Sequence, residues 1–474
     1  MRSIDLVVAA PHVLTMEGEG VGYRADSALA VDRGRIVALG PTEEILGAYA
    51  PERLIRRPRT LLMPGFVDAH CHMELSVLRG LAQDTGHWMM YGLNPFKGSV
   101  SPRDRLWGFR LGVLEALAAG TTTLGNYDDL MHQEAALVEE MGLRGNLTQL
   151  VREMPERVYA PGELYRFDEA YGRRDLENLL DLFDRWDGRG DGRIRILFGP
   201  MGPDFLGEAL LGEVREQALR RGTRVHLHVA QGDRETEQML LRYGKRTIPW
   251  LQERGYLDEH LIAVHLTDAT EEETRLVARS GASMVLCSNS IGIIDGVVPP
   301  ARTFLEAGGV VGLGSDQAPG NNNHNMFNEM KLTALFHKIR HQDPEAMPAW
   351  KVLRMATVEG ARAVGLGDRV GSLEEGKRGD FILVDLQAPT MMPLFVRPMR
   401  NLVPNLVYAA RGNEVCLVAV DGRVLYEDGA FLTLDAEEVR EEVLRLADPI
   451  GEASEETFRS VRGTNFRFME EGKL

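Results

Sequence analysis

Three cysteines in 474 residues, Cys71, Cys287 and Cys416, are too few and too far apart for a disulfide framework. A reducing compartment is expected, with the cytoplasm as the default. No run of about 18 uninterrupted apolar residues occurs, so no membrane-spanning helix is expected. Asp5 and Pro11 break the N-terminal region before a hydrophobic stretch can build up, which argues against a secretory signal. Positive charge is also in short supply: 54 Lys and Arg face 70 Asp and Glu, a formal net charge of −16. That balance favours solubility and disfavours a nucleic acid or an anionic membrane as partner. A small-molecule substrate is expected instead. Internal repeats and low-complexity linkers are absent too.

What is present is an enzyme-like chain, 44% apolar and 26% charged, long enough for two or three domains. From Asp5 to Gly40 short strands alternate with turns: Asp5–Ala9, Ser27–Asp32 and Arg35–Gly40, with Asp32-Arg33-Gly34 as a turn. After Pro64 strand-like runs alternate with longer helical patterns, the signature of a parallel sheet with helical crossovers. Eight such strands are expected: Phe66–His72, Thr121–Asn126, Arg144–Leu150, Ile194–Gly199, Arg224–Ala230, Leu261–Leu266, Ser283–Ser288 and Val310–Asp316. Helical patterns over Asp104–Ala119, Glu208–Arg221, Thr236–Arg254 and Glu271–Ser280 lie between them. The count fits an α/β fold of the (β/α)₈ TIM-barrel type. An open doubly wound sheet is less apt, because no Gly-rich phosphate loop follows the first strand. From Gly371 short strands return, with Asp421-Gly422 as a hairpin turn before Arg423. The reading is a barrel over 59–370, inserted into a small β-sandwich built from 1–58 and 371–474 with a C-terminal helical tail over Asp435–Leu446.

The chain is organised around Leu61-Leu-Met-Pro-Gly-Phe-Val-Asp-Ala-His-Cys-His72. Leu61–Met63 enter from a loop in this reading. On a strand, His70 and His72 share a face while Cys71 points away, and two neutral imidazoles make half of a transition-metal site. In a barrel the active site lies where the strands end. There stand His226 and His228 on strand five, His265 on strand six and Asp316 after strand eight. Five of only 12 histidines and a carboxylate gather on four strands, which points to a metal. His226 reads as structural, one layer below His228. His12, His87, His132, His260, His337 and His341 read as surface or loop residues, while His324 is placed near the mouth of the site.

Gly65–His72, Leu78-Arg-Gly80, Gly120–Thr123, His226–Ala230, His265 and Gly314-Ser-Asp316 together resemble the amidohydrolase superfamily. Asn321–Asn323, Met326-Phe327, Glu329-Met330, Met355-Ala-Thr357 and Gly360-Ala361 are similar to its branch of chlorotriazine hydrolases and adenosylhomocysteine-type deaminases. Gly376-Lys-Arg-Gly-Asp380 resembles that family's return into its β-sandwich. The resemblance implies one divalent metal on His70, His72, His228 and Asp316, with His265 close to the bound water. Zinc suits three imidazoles and a carboxylate, with iron or manganese as alternatives. None of the seven lysines falls at the end of strand three or four, where two-metal members place a bridging modified lysine, so a single metal is expected. Water bound in such a site has its pKa lowered to about 7. Asp316 would take its proton and deliver it to the leaving group, while His265 would stabilise the developing oxyanion. Homo-oligomers are common among such relatives, and one is expected here.

Three departures qualify the resemblance. Family deaminases carry His-x-x-Glu on strand five; here it is His228-Val-Ala-Gln231, and a carboxamide orients but donates no acid proton. Strand four runs into Pro200-Met201 rather than a histidine, and Trp88–Leu93 lacks an expected acid. The substrate then needs no ring protonation, or Asp233 or Glu235 supplies it from a solvent-facing loop; the first reading is preferred. Trp88, Tyr91, Met201, Gln231 and His324 are the candidate substrate contacts. The expected activity is hydrolysis of a C–N bond of a nitrogen heterocycle, of the deaminase type. Hydrolytic dechlorination or opening of a cyclic amide at the same metal is the alternative, and a non-catalytic scaffold the remote one.

Overall fold

A computed structural model describes residues 1–155, 157, 159–160 and 162–474. Strands from both ends of the chain form one mixed nine-stranded sheet. Arg2–Leu14 lies at its centre, pairing antiparallel with Tyr23–Asp32 and parallel with Tyr49–Arg56 and Thr60–Pro64. Thr60–Pro64 then pairs antiparallel with Phe381–Asp385, the first strand of the C-terminal half. Leu61–Met63 are therefore a fully buried strand of the terminal sheet rather than a loop, and that sheet runs past the expected 58/59 boundary to Pro64. Alternation buries both faces: Leu6, Val8, Leu29 and Phe381 form one apolar cluster, while Val7, Ala9, Ala28 and Ile45 form another. Both predicted hairpin turns are present. Arg33 and Gly34 (φ +50° and +73°), and Asp421 and Gly422 (φ +50° and +74°), take the paired left-handed conformations that match the twist of two-residue hairpins.

The remaining strands make a curled parallel sheet in sequential order, from Phe66–His72 through Thr121–Asp128, Arg144–Val151, Ile194–Pro200, Val225–Val229, Leu261–His265 and Ser283–Leu286 to Val311–Leu313. The eighth strand comes in two pieces. After Val311–Leu313 the chain breaks at Gly314-Ser315 and resumes as Asp316-Gln317, which pairs with Cys71 and His72 of the first strand and closes the (β/α)₈ barrel. The break requires glycine: a Cβ on Gly314 would stand 2.7 Å from the carbonyl oxygen of His70.

Helices on the outside follow from their caps. Pro102–Ala118 and Glu271–Arg279 each start with a reciprocal capping box, Ser101 with Asp104 and Thr270 with Glu273. The single helix expected over 236–254 is two, Asp233–Tyr243 and Thr247–Glu253, because Gly244 (φ +67°) ends the first in a left-handed cap. The C-terminal helix is longer than expected, running from Ala436 to Val461 through Pro449. It buries Ile450 with Leu78, Trp88 and Phe96, so the tail packs on the loop that follows the first barrel strand. His337 is also a correction: it is fully buried on Met326–His341, its Nδ1 donating to the Thr333 carbonyl 2.9 Å away. Among the described residues no helix is long and apolar enough to cross a membrane.

Candidate metal centre and substrate cavity

The first barrel strand changes phase partway along. Val67 and Ala69 pack with Ile262, Val264 and Val285 from strands across the barrel. Pairing with the second strand then slips between Asp68 and Cys71. This irregularity turns His70 and His72 toward the same centre, while Cys71 packs against the outer core. Asp68 is fully buried and accepts from the backbone NH and the hydroxyl of Ser315, at 2.9 and 2.5 Å, which pins the break in strand eight beside His70.

Four predicted ligands converge. Ligand atoms of His70, His72 and His228 lie within 4.8 Å of one another, as do those of His70, His265 and Asp316. Nε2 of His70 is 3.2 Å from Nε2 of His228, and Asp316 Oδ1 is 3.7 Å from Nε2 of both His70 and His72. The other nitrogens are already engaged. His72 Nδ1 donates to the Tyr127 carbonyl at 2.5 Å and His228 Nδ1 to the Met201 carbonyl at 2.6 Å. A carbonyl can only accept, so these rings carry hydrogen on Nδ1 and aim a lone pair from Nε2 at the centre. His70 Nδ1 shares a hydrogen bond with His226 Nε2 at 3.2 Å, and His226 Nδ1 another with Thr148 Oγ at 2.9 Å. His226 thus stands behind a ligand, the structural place expected of it.

Burial and neighbouring imidazoles hold His70 and His228 well below the ordinary histidine range, and burial pulls His226 and His265 down to about 3. All are neutral near pH 7, the state that can ligate. Burial raises the Asp316 carboxyl above its ordinary value. Its Oδ2 accepts from Ser290 at 2.5 Å, and its backbone sits at φ +59°. His265 is likewise left-handed, at φ +78°, and both of its ring nitrogens are buried without a hydrogen-bond partner among the described residues. Strain at two such residues, about 1–3 kcal/mol each, is the kind stored at functional sites. Neutral imidazoles aiming their lone pairs at one point, a carboxylate and an orphaned histidine beside them fit a divalent cation with a water.

Gln231, Trp88 and Met201 line the cavity over this centre, with His72, His228 and Asp316 at its floor. Tyr91 lines a neighbouring cavity with Tyr159 and Tyr165 instead. His324 does not reach the mouth: it is fully buried between the Ser76 and Ser315 hydroxyls, 3.1 and 2.9 Å away, because the turn after Asp316 folds it back under the first strand. Glu235 is not in a solvent-facing loop. Helix Asp233–Tyr243 buries it, and its carboxylate accepts from the backbone NH groups of Ala230 and Gln231, at 2.8 and 2.9 Å, and from Thr247. Burial raises it to about 7.

Ser290, Thr148 and the carbonyls of Tyr127 and Met201 escaped the sequence reading. Ser290, four residues past the end of the seventh strand at Leu286, could have been found from its place; carbonyls leave no mark on a sequence. Glu74, Asp128 and Glu134 form a second convergent group, but Arg105 grips Glu74 and Asn126 donates to the other two.

The amidohydrolase family pattern matches residues 61–425. The chain is 33% identical over 445 residues to the 5-methylthioadenosine/S-adenosylhomocysteine deaminase of Pelotomaculum thermopropionicum, covering 94% of this chain and 98% of that protein. An adenosine deaminase from Xanthomonas campestris, solved with bound zinc, shares 30% identity and a TM-score of 0.87 over 95% of this chain and 99% of that one. The atrazine chlorohydrolase of Arthrobacter aurescens TC1, complexed with zinc, is 20% identical with a TM-score of 0.80 over 93% and 100% of the two chains, a likeness of fold alone. The match takes in the whole barrel and the return into the terminal sheet, and on it the chain belongs to the amidohydrolase family.

Proposed function

We propose that this protein is a mononuclear metal-dependent aminohydrolase that cleaves an exocyclic C–N bond of a nitrogen heterocycle. The observation that carries this reading is the convergence of His70, His72, His228 and Asp316 beside an unpartnered His265, under a cavity of about 60 Å³ that opens into a cleft of about 400 Å³. A divalent ion held by those four residues supplies the Lewis acidity that lets water lose a proton near neutral pH. Zinc is the proposed ion, supported by the nitrogen-rich donor set and by the zinc in the solved relatives.

The chain's own groups do the rest. Ser290 holds one oxygen of Asp316 and leaves Oδ1 facing the imidazoles, placed to accept the proton from water and hand it to the departing nitrogen. His265, with both nitrogens uncommitted, is placed to stabilise charge developing at the attacked carbon's substituent. Gln231 orients the ring through its amide. Deaminases of adenosine-type compounds among the relatives support C–N cleavage. Gln231 supports a ring that needs no protonation, since Glu235 behind it is fully engaged by three donors.

That same feature favours a second reading, in which halide is displaced or a cyclic amide is opened. Ammonia release by metal-loaded protein from amino-triazines, aminopyrimidines and aminopurines tests the first. Chloride release from chlorotriazines without any ammonia would replace it by the second. A cytoplasmic homo-oligomer is part of the proposal; Met392, Phe395, Val396 and Met399, all exposed on one loop, support a partner copy.

A further inference from the structure

Beyond the metal-side cavity the cleft widens into a space of about 400 Å³ that shares Trp88, Met89 and Gln231 with it. Its walls differ in chemistry. One is apolar, made by Trp88, Ile291, Ile294 and Val297. The other is a row of hydrogen-bond acceptors. Thr267, only 6% exposed, has a buried hydroxyl with no partner among the described residues. Asp268 uses Oδ2 to accept from Thr236 at 2.6 Å and to face Arg246 at 3.6 Å, while its buried Oδ1 has no partner among the described residues. Asp295 faces Gly232 across the cleft, close enough that a Cβ there would lie 3.2 Å from its Oδ1. Asp233 and Asp295 make no salt bridge or side-chain hydrogen bond among the described residues.

Among the described residues Arg234 is the one arginine or lysine lining this space, and its charge is committed. It pairs with the fully buried Asp204, lies over the Phe205 ring at 4.6 Å and donates to Gln231 Oε1 at 3.3 Å. His87, an imidazole at the rim, is the other basic side chain that could meet an anionic group, against Asp233, Asp268 and Asp295. The orphaned Thr267 and Asp268 oxygens call for a donor, and the two unpaired carboxylates call for positive charge. Trp88 lines the same space, and an indole ring attracts a cation.

We infer that this outer cleft is a subsite for a cationic, hydrogen-bond-donating arm of the substrate, an aliphatic ammonium on a short methylene chain. The ammonium lies among Thr267, Asp268 and Asp295, and the methylenes lie along Ile291, Ile294 and Trp88. An arm ending in a carboxylate is repelled. The assignment rests on the proposed reaction only in placing the heterocycle over Asp316.

Three probes of one ring decide it: 6-aminopurine carrying at N9 a 3-aminopropyl, a 3-hydroxypropyl or a 2-carboxyethyl arm. Calorimetric binding to the metal-loaded, full-length protein gives a readout independent of turnover, alongside ammonia release. The aminopropyl compound is expected to bind about tenfold tighter than the hydroxypropyl one, and the carboxyethyl compound weakest. Asp295→Asn with Asp233→Asn should reduce the advantage to about twofold, as should raising salt from 0.05 to 0.5 M. Equal affinity for all three arms, or a preference untouched by the double substitution, overturns the subsite. A preference for the hydroxypropyl arm assigns the row to neutral hydroxyls and overturns the cationic reading. Cationic preference in binding without ammonia from any probe leaves the subsite standing and excludes 6-aminopurines as the ring, so that ammonia release from amino-triazines and aminopyrimidines decides the deaminase reaction separately.

Discussion

Buried charge is handled in opposite ways at the two ends of the barrel. At the N-terminal end Arg144, 1% exposed, donates to both oxygens of Asp380 at 2.7 and 2.9 Å and to Asp421 at 2.6 Å. Asp421 also receives Arg378, which reaches Asp191 as well. Cations and carboxylates alternate there and pair with one another, fastening the first residue of the third strand to the Asp421-Gly422 hairpin of the terminal sheet; of the Arg144 nitrogens only Nη1 is left unmet among the described residues. At the C-terminal end His70, His228, His265 and Asp316 are also buried and His72 is partly so, yet the nitrogens facing the centre meet only each other and Asp316 at 3.7 Å, and His265 meets no partner among the described residues. A closed network holds two domains together. An open one, kept open by carbonyls and Ser290 from behind, is what a cation and a substrate complete.

Substitutions at the two ends separate these roles. Asp316→Asn should lower turnover by about 10³-fold or more while leaving the unfolding midpoint of the metal-free protein nearly unchanged. Full activity in that variant would remove Asp316 as the base. Stripping the protein with a chelator should abolish activity, and re-addition of zinc, iron or manganese in turn identifies the ion that restores most.

At the opposite end Asp380→Ala strands Arg144 in a buried place and should cost about 3–5 kcal/mol by denaturant titration, with activity per folded molecule retained. A loss below about 1 kcal/mol would mean that the closed network fastens nothing. Ser290→Ala takes away the bond that aims Asp316 and should cost about 10- to 100-fold in activity or metal affinity. Unchanged kinetics would show that Asp316 is positioned by its backbone alone.

The mildest change is expected at Gln231. Gln231→Glu should leave the native reaction unchanged or slower, since no acid is needed there. A large gain on aminopurines accompanied by faster native turnover would show that the absent acid matters.

Much of this was legible beforehand where chemistry is local. His70 and His72 two apart on a strand, the Asp32–Gly34 and Asp421-Gly422 turns, and eight alternating strand-helix units all leave marks at short range. Tyr91 and His324 show the limit. Both follow barrel strands and so look like rim residues, but Tyr91 opens on a neighbouring cavity and His324 is folded beneath its own strand. Glu235 misled for a related reason: three residues separate Gln231 from it, and only the start of the helix at Asp233 turns its carboxylate back onto the strand end.

The sequence by itself determined the architecture, the histidine-carboxylate inventory and the family, because periodicity and residue type act over a few positions. The tertiary structure alone decided which nitrogens are free, because that depends on carbonyls from other strands. It alone made the strand-one slip and the Gly314 break that bring four rims to one point. It alone left Thr267 and Asp268 unanswered in the outer cleft, since an unmet hydrogen bond is a property of surroundings and no single residue carries it.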